Sequence, residues 1–217
     1  MATTRDTTGS RRVGDSTPER DVAFRDAICS LMKGRRCVEV AGPTTGHHSG
    51  RLRMYCEMLG RGMGLGEDEM AVLRRGAVLH DIGKLGIPAS ILLKPGALSR
   101  EERLVMERHT VIGEKLCRPV KSMSAVLPLI RHHHEHYDGT GYPDGLEGAS
   151  IPLVVRVLQV VDAYDALRSD RPYREAMPAD EAVDVLHAET ERGKWDPSVM
   201  EVAIPIMRRR MPLRRAG

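Results

Sequence analysis

Aromatic side chains are scarce in this 217-residue chain: one Phe, one Trp and five Tyr make up 3% of it. A core of stacked rings is therefore excluded, and leucine, valine, isoleucine, alanine and methionine must fill the interior. No apolar run approaches the length of a membrane span, and no h-region of a signal peptide follows Met1, so no membrane association and a cytoplasmic location are expected. The four cysteines, Cys29, Cys37, Cys56 and Cys117, show no C-x-x-C spacing. That argues against a zinc knuckle or a redox motif and leaves them as reduced core residues. Basic surface is missing too, despite a formal charge of +3. Arg208, Arg209, Arg210, Arg214 and Arg215 crowd the last ten residues without an acid, so the rest of the chain carries −2. The body is no platform for polymeric nucleic acid. With 29% charged and 41% hydrophobic residues the composition is globular, and the length suits one domain with a short appendage rather than a sensor module joined to a full-sized enzyme.

Histidine is what the chain has in excess. Eight of its nine histidines fall between His47 and His136. Residues 1–16 are too poor in apolar side chains to fold alone and are expected to be a disordered leader. An N-terminal helix and linker follow over 17–43, with Thr17 as cap and Pro18 in the first turn. The main domain is expected over 44–207, with a basic tail over 208–217. Within the domain the spacing predicts helices from about Thr45 to Met63 and from about Glu67 to Asp81, the second terminated by Gly83. Ser99 and Glu102 have capping-box spacing and open a helix on which Val105, His109, Ile112 and Leu116 share a face. Another helix is expected from Ser122 to about Tyr137, with Val126, Leu129, Ile130 and His133 inward. Pro152 to Leu167 can be read as a buried strand or a buried helix, and its length favours helix. Helices over 179–192 and 197–208 complete the chain, with Pro205 expected to kink or shorten the last. No strand–helix alternation and no repeat is visible, so the fold class is all-α, a single compact helical bundle.

His109 and His133 lie on apolar faces, His134 lies four residues after Ile130, and Asp162 lies four residues after Leu158 in an otherwise apolar helix. A buried, unpaired carboxylate costs several kcal/mol or becomes neutral. Histidine and aspartate gathered on several core-facing helices are better explained by bound cations. The alternative for each residue singly is ordinary: a hydrogen-bonded core histidine, a cap, or a partner for an arginine.

The chain resembles the HD-GYP phosphodiesterases, a branch of the HD metal-dependent phosphohydrolases. The resemblance runs from about Thr44 to Pro197 and rests on His80-Asp81-Ile82-Gly83-Lys84, on His109 three residues after Met106, and on His133-His134-Glu135-His136-Tyr137-Asp138-Gly139-Thr140-Gly141-Tyr142-Pro143. Asp162-Ala163-Tyr164-Asp165-Ala166-Leu167 and Arg171-Pro172-Tyr173-Arg174 complete it. It implies an HD-type bundle with a buried metal centre. His48, His80, Asp81 and Asp162 would hold one metal, and Asp81 would bridge to a second held by His109, His133 and His134. His47 and His132 are placed outside the ligand set. Thr44 stands where some members carry a glutamate for a third metal, so a dinuclear centre is expected, with iron or manganese ahead of cobalt, nickel or zinc. The implied activity is hydrolysis of cyclic di-GMP to pGpG, GMP or both by a metal-bridging hydroxide, with Asp81 and Lys84 catalytic and Lys84, Arg171, Arg174 and Tyr142 contacting substrate. Two readings from other classes are a non-hydrolysing cyclic di-GMP receptor that binds diguanylate cyclases of the GGDEF type through the GYP loop, and an HD-type nucleotide phosphohydrolase. With about 40 residues ahead of the match, regulation is expected from a homodimer through the 17–36 helix, from a partner, or from expression level.

Overall fold

The computed structural model describes residues 45–170 and 175–210, all within one compact unit that runs from Gly42 to Gly217. The expected leader, the 17–43 helix and linker, Cys29, Cys37, Thr44, Arg171, Arg174 and the tail beyond Arg210 lie outside the described residues. Among the described residues the regular elements are helical. The one β-type contact is an isolated antiparallel bridge between Asp138 and Glu147.

The helices are α1 (Thr45–Gly62), α2 (Glu67–Leu79), α3 (Ala89–Leu92), α4 (Arg100–Glu107), α5 (His109–Cys117), α6 (Leu127–His132), α7 (Leu153–Leu167), α8 (Ala179–Glu191) and α9 (Pro197–Arg210), with 3₁₀ turns at Ile82–Gly86, Lys121–Met123 and Gly148–Ser150. The segment that could be read as strand or helix is α7. Val155, Val157, Leu158, Gln159, Val160, Val161, Tyr164 and Asp165 are all buried along it, which is more than one face of a helix. It can be apolar nearly all round because α1, α2, α6, α8 and α9 pack around it. Leu52, Tyr55 and Leu59 of α1, Met70 and Leu73 of α2, and Leu186, Val199 and Met207 of α8 and α9 are buried with it. The two core tyrosines, Tyr55 and Tyr164, meet edge to face at 5.7 Å.

Three boundaries differ from the sequence expectation, each for a packing reason. Helix α2 ends at Leu79, His80 caps it, and Gly83 sits buried in the following 3₁₀ turn. Gly83 is no left-handed cap. A Cβ on it would lie 1.8 Å from the His109 carbonyl oxygen and 2.5 Å from the Gly113 amide nitrogen, so the turn is pressed backbone to backbone on α5. That contact also explains the second difference. Ser99 and Glu102 do form a reciprocal cap, but the helix they open stops at Glu107, and α5 begins anew at His109. The inward face of α5 is His109, Thr110, Gly113 and Cys117, while Leu116 is 50% exposed. The helix expected over 122–137 is only Leu127–His132. The Gln159 side-chain amide of α7 donates to the carbonyls of His132 and Glu135, at 3.0 and 2.7 Å. A continuing helix would have used those carbonyls for itself. Pro205 does not end α9; its position is exposed, so the backbone carbonyl it leaves unbonded faces water.

The Gly83 contact predicts a cost. Gly83→Ala should destabilise the protein by about 1–3 kcal/mol, because backbone rather than a flexible side chain must move. Gly50→Ala on α1, with nothing within 4 Å of the added methyl, should be neutral or stabilising by roughly 0.5–1 kcal/mol. Urea denaturation of the two variants measures the contrast, and equal midpoints would refute it.

Candidate metal centre

Seven of the residues singled out in the sequence come together at the ends of α2, α6 and α7 and the starts of α1 and α5. Donor atoms of Asp81, His109, His133 and His134 lie within 4.8 Å of one another, and so do donor atoms of His48, His80 and Asp162. Asp81 stands between the two groups. Its Oδ1 is 3.4 Å from His109 Nε2 and 3.8 Å from His133 Nε2, while its Oδ2 is 3.4 Å from His80 Nε2. Asp162 Oδ1 is 3.6 Å from His48 Nε2 and 3.9 Å from His80 Nε2. The histidine rings of 80, 109 and 133 are buried. The carboxylates are not: the side chains of Asp81 and Asp162 are 32% and 27% exposed. The expectation of a buried Asp162 is corrected accordingly. The rings of His80, His109 and His133 form the floor of the centre; Asp81, Asp162 and the His48 ring, itself 26% exposed, lie on its open side.

The ring hydrogen bonds decide what faces the centre. His109 Nδ1 donates to the Met106 carbonyl at 2.8 Å, and His133 Nδ1 donates to the Leu129 and Ile130 carbonyls at 3.1 and 3.0 Å. A carbonyl only accepts, so Nδ1 carries the hydrogen in both rings and Nε2 offers a lone pair. Those two Nε2 atoms are 3.2 Å apart. Two lone pairs at that distance repel unless positive charge lies between them. Burial holds His109 below its ordinary pKa and His133 well below it, and His134 falls to about 3 through burial and the neighbouring His109. Protons are thus disfavoured as the positive charge. Mixed imidazole and carboxylate donors without thiolate fit a first-row divalent cation.

His80 behaves differently. Burial lowers its pKa, but Asp81 and Asp162 outweigh burial and raise it. Burial raises Asp81, yet Lys84 and His80 hold it well below the usual carboxylate range. Lys84 Nζ contacts Asp81 Oδ2 at 2.6 Å and is 41% exposed. It lies in the 3₁₀ turn rather than on α2.

Three residues support the centre: Asp165 and Glu135, which stand in the motifs, and Gln159, which lies within the 152–167 segment. Asp165 is completely buried; its Oδ2 accepts from His48 Nδ1 at 2.6 Å, and Arg51 grips it from the other side. Its place one turn after Asp162, on the same face of α7, was the available signal. Buried Glu135 accepts from the amides of Asp144 and Leu146, at 2.8 and 3.1 Å, and pins the loop that carries Tyr142. Gln159, a polar residue inside the apolar run, holds the backbone around the histidine run as described above.

Tyr142 stacks on His134, with ring centroids 4.9 Å apart at 30°, and its amide donates to the His134 carbonyl at 3.1 Å. Gly141 permits this, since a Cβ there would lie 2.2 Å from the His136 amide nitrogen. His132 faces away from the centre, with Nε2 2.8 Å from Asp144 Oδ2, which Arg131 also binds. A third group of potential donors, His132, Glu135 and Asp144, is already occupied by these partners.

Acid should weaken the chelator-stripped protein. A histidine with a depressed folded pKa contributes stability above its unfolded value near 6.5 and loses it as pH falls below, because the unfolded chain protonates first. His109, His133 and His134 act this way. His80, raised, acts oppositely, its contribution being present below 6.5 and lost as pH rises through its folded value. Three outweigh one, so stability should fall between pH 7 and pH 5, by about 1.4 kcal/mol per pH unit for each net proton, and the urea midpoint should fall with it. A midpoint that rises on acidification would mean that the imidazoles are charged in the fold.

Comparison with known proteins gives the chain a family. Residues 35–199 match the family described as HD domain. The chain is 39% identical over 180 residues to the cyclic di-GMP phosphodiesterase response regulator RpfG of Xanthomonas campestris pv. campestris, covering 81% of this chain and 47% of that protein. It is 36% identical over 158 residues to the 3'3'-cGAMP-specific phosphodiesterase 3 of Vibrio cholerae serotype O1, covering 73% of this chain and 34% of that protein. The chain therefore spans between about a third and a half of the length of these curated relatives. Among solved structures, Bd1817, an HDG"Y"P protein from Bdellovibrio bacteriovorus, shares the fold with a TM-score of 0.64 at 21% identity, over 88% of this chain and 63% of that one. The chain belongs to the HD domain family.

Proposed function

We propose that this chain is a metal-dependent phosphodiesterase that hydrolyses cyclic di-GMP to pGpG, GMP or both. The observation that carries the reading is Asp81, which turns one carboxylate oxygen toward His109 and His133 and the other toward His80. A single carboxylate between two donor groups suits a pair of cations. In this reading His48, His80, Asp81 and Asp162 hold one divalent ion and Asp81, His109, His133 and His134 the other, with iron or manganese preferred. Ions bound there would supply Lewis acidity toward water and a phosphodiester oxygen.

The residues themselves do the rest. His109 and His133, each held by backbone carbonyls, keep their Nε2 lone pairs aimed at the centre without reorganisation. Part-exposed Asp81 and Asp162, with His48, mark the side open to substrate. Lys84, part exposed beside Asp81, places an ammonium where a phosphoryl oxygen can meet it. Tyr142 covers His134 and shields that flank from water. In the reaction water adds to phosphorus, the bond to the 3′ oxygen breaks, and a proton passes to the departing 3′ oxygen.

A cyclic dinucleotide carries a second phosphodiester, for which Arg171 and Arg174 are the proposed partners. The described residues on either side support that role. Asp170 Oδ1 accepts from the Ala176 amide at 2.9 Å, Met177 N donates to Leu167 O at 3.0 Å, and Arg168 Nη1 donates to Met177 O at 2.7 Å. The two ends of the segment are thereby tied at the end of α7, the helix that carries Asp162. Curated relatives are named for cyclic di-GMP and for 3'3'-cGAMP, so both belong in any assay. No helix among the described residues is long and apolar enough to cross a membrane, which is compatible with a cytoplasmic enzyme. Contact with GGDEF-type diguanylate cyclases through the GYP loop, a homodimer through residues 17–36, and a catalytic domain bounded by 44–207 complete the proposal.

His80→Ala and Asp81→Ala should reduce turnover of cyclic di-GMP to background while the circular dichroism spectrum stays helical. Lys84→Ala should lower kcat by about 10²-fold. Chromatographic resolution of products, with metal analysis of the same samples, checks all three. Tight binding of cyclic di-GMP without product would favour the receptor instead, and turnover of nucleoside triphosphates alone would favour a nucleotide phosphohydrolase.

A further inference from the structure

We propose that Arg51 and Asp165 are positioning residues that set the metal affinity of the His48, His80 and Asp162 group and leave the other group untouched. The proposal rests on the two-ion reading above.

Asp165 accepts from His48 Nδ1 at 2.6 Å through Oδ2. Arg51 closes on the same carboxylate, Nε to Oδ1 at 2.6 Å and Nη2 to Oδ2 at 3.0 Å, and its Nη2 also reaches Ser169 Oγ at 2.8 Å. With Nδ1 donating to Asp165, His48 turns its Nε2 lone pair toward Asp162, 3.6 Å away. Arg51 lies three residues after His48 on α1, so one helix turn delivers both the ligand and the clamp that orients it. Ser169 ties that clamp to the residues just beyond the end of α7.

The two groups are anchored by different means. His109 and His133 are held by carbonyls three or four residues before them in their own segments. His133 bonds carbonyls of the α6 helix it caps, and His109 bonds the last turn of α4 across the break at Arg108, so both anchors are local in sequence. His48 is held by a side chain 117 residues away, and His80 Nδ1 is buried with no hydrogen-bond partner. Orientation of the His48 group thus depends on Asp165 and, through it, on Arg51. With Asp81 shared, each group has three donors of its own, so the difference between them lies in how their histidines are anchored. Two unequal positions follow: one filled first and tightly, and a second whose occupancy is governed by the Arg51–Asp165 pair.

The test is a titration of the chelator-stripped full chain with Mn(II), with bound metal per chain measured by mass spectrometry after equilibrium dialysis. The wild-type chain should take up two ions in two steps. Asp165→Ala should weaken the second step by about 10- to 100-fold and leave the first within about twofold. Arg51→Gln should act in the same direction by less, since the Asp165–His48 bond survives it, and Arg51→Lys should recover part of the loss. A merely structural role would lower the melting temperature without separating the two steps. Should Asp165→Ala fail to fold, Arg51→Gln carries the test, because its side chain is part exposed. Variants that keep both steps at wild-type affinity, or that lose both in parallel, overturn the proposal. A wild-type chain that never binds a second ion instead overturns the two-ion reading, and this proposal falls with it.

Discussion

The backbone contact between the turn at Gly83 and helix α5 is the constraint on which the centre depends. Where two chain segments touch without side chains between them, their neighbours are placed with little freedom. The turn carries Asp81 on one side of Gly83 and Lys84 on the other, and α5 begins with His109 at the same contact. Asp81 is thereby set against His109 on one side while remaining bonded in sequence to His80, which belongs to the other donor group. Ile130 of α6 packs on Gly113 in turn, so the histidine run that ends α6 is referred to the same point. Three separate segments are registered through glycine rather than through adaptable side chains.

Around that contact the protein keeps the donors neutral and aimed inward. Burial lowers the pKa values of His109, His133 and His134, and backbone carbonyls decide which ring nitrogen of His109 and His133 carries hydrogen. The acids stay ionised for a different reason: Lys84 and His80 oppose burial at Asp81, and Arg51 and His48 oppose it at Asp165. Asp165 never faces the centre, yet it is far more deeply buried than Asp162. A search for ligands by burial alone would select Asp165 over Asp162. The hydrogen bonds reverse that choice, since Asp165 is consumed by Arg51 and His48.

Much of the fold and of the candidate site was legible in the chain. Helical spacing located α1, α2, α7, α8 and α9 to within a few residues, because long helices with strong apolar faces carry a redundant signal. The Ser99 cap was legible because it is made by residues three apart. The elements around the centre were not placed as well. The break at Arg108, the early end of α6 and the outward Leu116 depend on contacts of α5 with Gly83 and of α6 with Gln159, partners distant in sequence that no local spacing encodes. The supporting roles of Asp165, Glu135 and Gln159 were hidden for the same reason, although each stood within or beside a motif that had been noticed.

What the sequence determined by itself was composition and periodicity: an aliphatic core, an all-α bundle, and histidines at core-facing positions of several helices. Those properties are local, set by side-chain chemistry and by 3.6 residues per turn. Only the tertiary structure decided which donors share a group, which oxygen of Asp81 faces which ring, and which aspartate meets solvent and which is locked behind His48. These are distances between segments up to 117 residues apart, and a distance of that kind comes into being only when α7 is surrounded by its neighbours and the Gly83 turn closes on α5.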